Sequence, residues 1–470
     1  MKQDTIAAIA TPLGTGGIGI IKISGTEAFR IVSALFQRSG ESRTEHPPAS
    51  TFAAYPKSRR IFHGFIHDPS NGHVVDEVLV TMMPGPKSYT CEDVVEINTH
   101  SGALALKHVL GLVLKQGARL ALPGEFTKRA FLNGRIDLTQ AEAVIDIIEA
   151  KTNCGLRLAA MQARGALGKA VEDVLEHLSS VIIDIEAHID FPEDLEGDIN
   201  TDEACYVIEQ DVVRPLRTLL SQFEVGRLIK YGVRTLIVGK PNVGKSSLMN
   251  CLLKKDRVIV SPVPGTTRDF IEQESRLETL PVIFVDTAGL HETGDLIENI
   301  GITKTYEHIE EADIVLHVLD MSNPLSKEDV AIQDRIRSKI HILVMNKMDL
   351  AGDSSFDIPE DWCHSAAVQT SALYCRGIED LEKRIFDCAT ENKEIDVGAD
   401  GVAINVRHKQ AIEYALRCIE AGLSGLRENS YPELIAIDLR EGITYLEDII
   451  GLNIKNDVLE QVFEKFCIGK

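Results

Sequence analysis

The sequence predicts a multidomain α/β and α protein: an N-terminal α+β module, a helical domain, and a doubly wound α/β domain inserted into the helical one. Three observations carry this. First, four apolar runs of strand length, Thr235–Val238, Val282–Val285, Ile314–Leu319 and Ile342–Met345, alternate with polar segments of helix length. Unbroken apolar strands of this kind are parallel strands covered on both faces. Second, helix-period stripes flank that region: Val171, Val174, Leu175, Leu178, Val181, Ile182 and Ile185 before it, and Ile412, Ala415, Leu416 and Ile419, then Val458, Val462 and Phe466, after it. Third, short β-prone runs (Gly19–Ser24, Val74–Thr81, Val94–Asn98) separated by Gly, Pro and Asn clusters occupy the N-terminal quarter. The boundaries that follow are 1–120 for the α+β module, 121–228 and 393–470 for the two helical parts, and 229–392 for the insertion. Each helical part alone is thin for a core, which argues for one helical domain split by the insertion.

Within the first helical part, Thr139 and Glu142 have capping-box spacing, and Asp137 just upstream is a second candidate cap.

The composition, 44% hydrophobic and 26% charged over 470 residues, is that of a globular protein of two to four domains. The longest apolar runs fall well short of the roughly 20 residues a membrane span needs. At the N-terminus (Met1-Lys2-Gln3-Asp4) an early acid, with only a brief apolar patch, argues against a secretory signal. Nine cysteines without a CxxC pair read as scattered reduced thiols of a cytoplasmic protein. With 49 Lys plus Arg against 71 Asp plus Glu, the net charge of −22 repels phosphate backbones. A nucleic-acid partner would need local basic patches or a second protein.

The inserted domain carries its chemistry in loops after the apolar runs. Gly239-Lys240-Pro241-Asn242-Val243-Gly244-Lys245-Ser246 fits GxxxxGK[ST] behind a strand. There the amides of Asn242, Val243, Gly244, Lys245, Ser246 and Ser247 cradle phosphate at a helix N-terminus. The Lys245 ammonium neutralises β- and γ-oxygens, and Ser246 binds Mg²⁺. Asp286-Thr287-Ala288-Gly289 ends the next run: Asp286 would hold Mg²⁺ through water, and the Gly289 amide would sense the γ-phosphate. Between the two, Gly265-Thr266-Thr267-Arg268-Asp269 supplies a threonine for Mg²⁺. Asn346-Lys347-Met348-Asp349 follows the last apolar run, and Ser371-Ala372-Leu373 fits the closing base loop. The Asp349 carboxylate can accept from guanine N1–H and the 2-amino group, whereas adenine would leave it facing an acceptor. The nucleotide implied is GTP.

Ras-type switches place a water-orienting glutamine after DxxG, but here that position is Leu290. Charge stabilisation must come from elsewhere, and the Asn242 carbonyl could ligate a K⁺ beside the β,γ-bridge. For the attacking water the candidates are Glu292, Asp295 and Glu298, among which spacing does not choose.

Beyond these motifs, Thr11-Pro12-Leu13-Gly14-Thr15-Gly16-Gly17-Ile18-Gly19, Pro84-Gly85-Pro86-Lys87-Ser88-Tyr89-Thr90, Pro123 through Gly134 and the ending Phe466-Cys467-Ile468-Gly469-Lys470 carry a family signal. The chain resembles, over essentially its whole length, the tRNA modification GTPases known as MnmE or TrmE. The resemblance implies a homodimer whose N-terminal domain binds a 5-formyl-tetrahydrofolate-type cofactor. It implies a flavoprotein partner, MnmG (GidA), and tRNA as substrate, modified by an aminomethyl-type group at C5 of the wobble uridine. It places K⁺ on Asn242, Ser261, Val263 and Thr266, Mg²⁺ on Ser246 and Thr267, the catalytic carboxylate on Glu298, and folate on Lys22, Glu96, Arg135 and Lys470. Cys467, in the matched ending, is a candidate functional thiol or a small buried hydrophobe. Lys128, Arg129, Arg157, Arg164 and Lys169 are either tRNA contacts or solvated helix faces. Two competing functions are a ribosome-assembly switch like Era and a folate-dependent aminomethyl carrier with GTP as a conformational signal.

Overall fold

The computed structural model of the chain describes residues 4–40, 60–191, 200–255, 272–277, 280–286, 308–351, 358–359, 362, 366–390 and 402–470, the side chains of Lys254, Lys255, Glu272, Asp286 and Asn456 excepted. The chain divides into two compact units: Met1–Ile145 with Ala163–Ile208 and Glu413–Lys470, and Asp146–Gln162 with Glu209–Ile412.

The first unit holds a seven-stranded sheet of order β3-β4-β5-β6-β2-β1-β7. Its strands are β1 (Ile6–Ile9), β2 (Gly19–Ser24), β3 (Phe36–Arg38), β4 (Arg60–His67), β5 (Val74–Met83), β6 (Val94–Thr99) and β7 (Arg119–Leu120). The sheet is antiparallel except where β1 meets β7. Side chains alternate faces along a strand. Ile21, Ile23, Val80 and Ile97 therefore pack on one side with Ile31 and Val32 of helix Ala28–Leu35 and Leu106, Val109 and Val113 of helix Ala103–Lys115. On β1 the other set, Ile6 and Ala8, packs with Ala121 and with Phe126 of helix Glu125–Leu132. Lys22 pairs with Glu96 across β2 and β6 and with Ala8 across β2 and β1, so both charges share the Phe126 side. Burial of the sheet core thereby turns two opposite charges toward one aromatic ring.

The helices of this unit correct two expectations. The capping box at Leu138–Glu149 is Asp137 with Gln140, two residues earlier than Thr139 with Glu142. Asp137 Oδ1 accepts from Gln140 N at 2.8 Å and from Thr139 Oγ1 at 2.7 Å, and Asp137 N donates to Gln140 Oε1 at 3.0 Å. Thr139 and Glu142 are instead buried within the helix. In helix Asn456–Glu464 the buried stripe is Leu459 and Phe463, continued by Phe466, while Val458 and Val462 flank it half-buried. The two phenylalanines, with Leu459, close a cluster on Leu138 and Ala141, so the larger side chains took the inward phase. Helix Ala166–Asp190 buries Val171, Val174, Leu178, Val181, Ile182 and Ile185. It packs along helix Pro432–Ile450, with Arg440 paired to Glu186.

The second unit holds a six-stranded sheet of order β13-β12-β11-β8-β10-β9. Its strands are β8 (Val233–Val238), β9 (Glu272–Leu277), β10 (Leu280–Asp286), β11 (Ile314–Asp320), β12 (His341–Asn346) and β13 (Ala366–Gln369). All pairings are parallel except β9 with β10. All four apolar runs read from sequence are strands. β9 escaped that reading because Glu-Gln-Glu-Ser-Arg-Leu, at the sheet edge, has no apolar run. The expectation of reduced thiols throughout is corrected here: Cys251 and Cys375 form a disulfide. Among the described residues no helix is long and apolar enough to cross a membrane.

Replacing Asp137 by Ala removes the side-chain half of the Asp137–Gln140 box. Thermal or denaturant unfolding should show a loss of roughly 1 kcal/mol, largely restored by Asp137→Asn. Equal stability of wild type and Asp137→Ala would contradict the cap.

Candidate functional site

In the second unit β8 runs into the loop Gly239–Gly244 and then into helix Lys245–Lys255, the strand–loop–helix frame that directs backbone amides at phosphate. Gly244 has φ +100°, and a Cβ there would lie 2.4 Å from Asn346 Nδ2, so both conformation and space require glycine. Lys245 is 6% exposed, and its ammonium donates to the carbonyls of Gly239 at 2.9 Å and Lys240 at 3.0 Å. The Lys240 side chain is paired at 3.0 Å with the buried Asp329 carboxylate, which also forms a capping box with Ser326. Asn242 is exposed with φ +64°, and Ser246 and Ser247 are exposed on the first helical turn.

Asn346, at the end of β12, ties the loops together. Its Nδ2 donates to Val243 O at 2.8 Å, while its Oδ1 accepts from Ala372 N at 2.9 Å and Thr370 Oγ1 at 3.3 Å. Three residues on, Asp349 is exposed and accepts a hydrogen bond from Ser371 Oγ. Lys347 (φ +65°) is held at 2.7 Å by Asp320, the last residue of β11. Burial raises the Asp320 pKa, but hydrogen bonds from Lys347, Ser322 and Asn323 outweigh it and bring the carboxyl to about 2. The sequence reading missed Asp320. Its signal was an acid ending an apolar strand, but pairing with Lys347 requires β11 and β12 to be neighbours, which sequence does not state.

The structure thus brings Asn242, Val243, Gly244, Lys245, Ser246 and Ser247 of the phosphate loop to Asn346, Lys347, Asp349, Ser371 and Ala372. Asp286 ends β10 opposite Ile237 of β8, beside the phosphate loop. Ser261, Val263, Thr266, Thr267, Thr287, Ala288, Gly289, Leu290, Glu292, Asp295 and Glu298 lie outside the described residues.

In the first unit, Lys22 Nζ lies 5.3 Å from the Tyr89 ring centroid and 5.4 Å from that of Phe126. Arg135 stacks on Tyr89 at 4.7 Å and donates to its carbonyl at 2.9 Å. Burial lowers the Lys22 pKa, Glu96 raises it, and Lys470 lowers it. Lys470 is placed by Phe126 N donating to its carbonyl at 3.2 Å, and by Gly469, where φ is +95° and a Cβ would lie 2.6 Å from Ile9 O. Lys22 therefore lies against both Tyr89 and Phe126 and Arg135 against Tyr89, with Glu96 across the strands from Lys22 and the Lys470 backbone bonded to Phe126; the two rings are ones that sequence reasoning did not select. Cys467 is exposed, and its carbonyl accepts from Gly124 N at 3.4 Å.

Arg129 fits neither of its two readings. Its guanidinium is held by Asp4 at 2.7 Å and by Glu92 and Glu125 at 3.1 Å each, with side-chain exposure of 12%. It is a structural hub, beside a cavity of about 1240 Å³ lined by Glu92, Glu125, Asn133 and Glu464, among others. Arg157, Arg164 and Lys169 are exposed and Lys128 is half-buried.

A doubly wound sheet with a phosphate loop after one strand and Asn-Lys-x-Asp after another, the two joined through Asn346, defines a P-loop GTPase. The family models agree. The MnmE helical domain matches residues 138–467, and the N-terminus of the GTP-binding protein TrmE matches residues 5–135. The chain is 43% identical to the tRNA modification GTPase MnmE of Carboxydothermus hydrogenoformans, with all of both chains covered. It is 43% identical to that of Syntrophus aciditrophicus and 40% to that of Acetivibrio thermocellus, again over both whole chains. The chain belongs to the MnmE family of tRNA modification GTPases. Membership removes the ribosome-assembly reading.

Replacing Asp349 by Asn presents a donor to guanine N1–H. GTP affinity should fall by roughly 2 kcal/mol or more, measured by calorimetry or fluorescent-nucleotide titration; unchanged affinity would remove Asp349 from the base site. Asp320 adds a pH dependence. Its carboxyl is depressed from 3.8 to about 2, so the stabilisation is complete above about pH 4 and lost as pH falls through 2. The stability gap between wild type and Asp320→Asn should be flat near neutrality and close in acid. A gap that persisted at pH 2 would rule this out.

Proposed function

We propose that this GTPase is potassium-dependent and acts, as a cytoplasmic homodimer with the flavoprotein MnmG, in C5 aminomethyl-type modification of the tRNA wobble uridine. The one-carbon unit comes from a formyl-tetrahydrofolate-type cofactor. The observation that carries the GTPase part is the convergence of Gly239–Ser246, Asn346–Asp349 and Ser371–Ala372 through Asn346. The rest is supported by family membership and by the fit of the residues to the groups they would hold.

Folate fits the first unit. A pterin presents an amide-and-amino edge that one carboxylate can pair, and Glu96 is the cross-strand neighbour of Lys22, which lies over the Tyr89 and Phe126 rings. The glutamate tail of a folate needs cations, and Lys22, Arg135 and Lys470 supply them. Lys22 is already partly desolvated, as the fall in its pKa with burial records.

At the phosphate loop, Asn242 is exposed and left-handed, and an amide oxygen is a ligand type suited to a monovalent cation. Asn242, Ser261, Val263 and Thr266 would hold K⁺, and Ser246 and Thr267, with Asp286 through water, would hold Mg²⁺. Bound there, the cations supply positive charge beside the β,γ-bridge, where Leu290 offers none. Lys245 adds its ammonium from the loop, and Glu298 orients the attacking water. Thr287, Ala288 and Gly289 carry the γ-phosphate signal into the switch.

GTP turnover in KCl should exceed that in NaCl by roughly one to several orders of magnitude, with Rb⁺ and NH₄⁺ behaving like K⁺. Glu298→Ala should lower kcat with little change in nucleotide affinity, as for an interaction made mainly in the transition state. Equal turnover in the two salts, or wild-type kcat in Glu298→Ala, would sink this mechanism and leave GTP binding standing. Calorimetric titration with 5-formyl-tetrahydrofolate should show binding that drops sharply in Glu96→Ala and on deleting Cys467–Lys470. Equal affinity in all three proteins would remove the folate site.

A further inference from the structure

The base-recognition loop is tied to the phosphate-loop helix by a covalent bond. Cys251 sits in the middle of helix Lys245–Lys255, 5% exposed, within the core cluster that also contains Leu248, Leu252 and Ala372. Its Sγ lies 3.1 Å from the Ala372 carbonyl oxygen. Cys375 lies 124 residues further on, exposed and in the left-handed region at φ +49°. It belongs to a short hairpin closed by two backbone bonds, Ser371 N to Arg376 O at 3.0 Å and Arg376 N to Ser371 O at 3.1 Å. That hairpin begins with Ser371, which holds Asp349, and Ala372, whose amide is bound by Asn346. Its tip, Leu373 and Tyr374, is 75% and 61% exposed and has no core packing to order it.

We propose that the Cys251–Cys375 disulfide is a specificity-determining clamp. It holds the Ser371–Arg376 hairpin in its base-recognising form, and its reduction by thiols weakens guanine binding and guanine selectivity. Freezing the exposed tip of the hairpin, residues 373–376, costs conformational entropy, which nucleotide binding must otherwise meet each time. A covalent tie places that cost in folding. Because the tie ends at Cys375, next to the Arg376 that pairs with Ser371, the group it steadies is the partner of Asp349, and selectivity should respond together with affinity. The inference rests on the assignment of Ser371–Leu373 as the guanine loop.

Cys375 is the exposed residue of the pair and Cys251 the buried one, so a reductant enters at the Cys375 end. A dithiol's thiolate attacks it, the S–S bond breaks, and Cys251 leaves as a thiolate that takes up a proton. The second thiol of the reductant then displaces Cys375, also protonated, and the reductant departs as its cyclic disulfide. Two electrons pass from the reductant to the protein.

The test uses the full chain purified without reductant, then split and treated or not with dithiothreitol. Mass spectrometry after denaturation and alkylation should show two extra alkyl groups in the treated wild type and none in Cys375→Ser. GDP dissociation should speed up about tenfold on reduction, and the ratio of GDP to IDP affinity should fall, since IDP lacks the 2-amino group read by Asp349. Cys375→Ser should behave like reduced wild type in both states, and Cys251→Ala serves as the second variant if that protein misfolds. An identical alkylation pattern before and after reduction overturns the proposal. So does a disulfide whose reduction changes neither release rate nor the GDP-to-IDP ratio. Asp349→Asn, measured in the untreated protein, separates the two levels: a loss of guanine affinity there keeps the base site even if the clamp fails.

Discussion

The nucleotide site depends on one side chain, the buried amide of Asn346. It donates to Val243 in the phosphate loop and accepts from Ala372 in the base loop, so loops after three different strands are fixed by one planar group. An amide suits this place because it carries a donor and an acceptor at fixed separation. An acid or a lysine would leave one loop unpaired and buried. Gly244 follows from the same contact, since only a residue without Cβ lets Asn346 approach. The register of β12 against β11 then sets Lys347 beside Asp320 and leaves Asp349 at the surface.

The chain carries a net charge of −22, yet its well-buried cations are placed individually. Arg129 is neutralised by three carboxylates and locks the helix Glu125–Leu132 to the segment around Asp4 and Glu92. Such a desolvated hub would be strongly destabilising to break, because one missing partner leaves charge buried without compensation. Lys22 has Glu96 on the next strand and a second ammonium, Lys470, close enough to depress its pKa. Two cations held near one carboxylate leave a local excess of positive charge in a chain that is acidic overall.

The local devices of the fold were legible in unequal degree. β2 lies where its sequence run placed it, and the four apolar runs of the inserted domain are strands extended by one to three residues, because a strand buried on both faces is written in consecutive residues. The cap at Asp137 went to the neighbouring candidate, since Thr139 and Asp137 offer similar oxygens and only the backbone geometry chooses. In Asn456–Glu464 the valine stripe and the Leu459–Phe463–Phe466 stripe differ by one residue in phase, and the larger buried surface prevailed.

The sequence by itself determined the chemistry that is local in the chain. The glycines and lysine of the phosphate loop, the Asn-Lys-x-Asp signature and the alternation of strand and helix each depend on spacings of a few residues, which is what a motif records. Tertiary structure decided what joins distant residues: Asp320 beside Lys347, Tyr89 and Phe126 around Lys22, Arg129 as an ion-pair hub, and Cys251 bonded to Cys375. These pairings follow from strand order and helix packing, and a side chain carries no sign of its partner until the backbone has brought the two within a few ångströms.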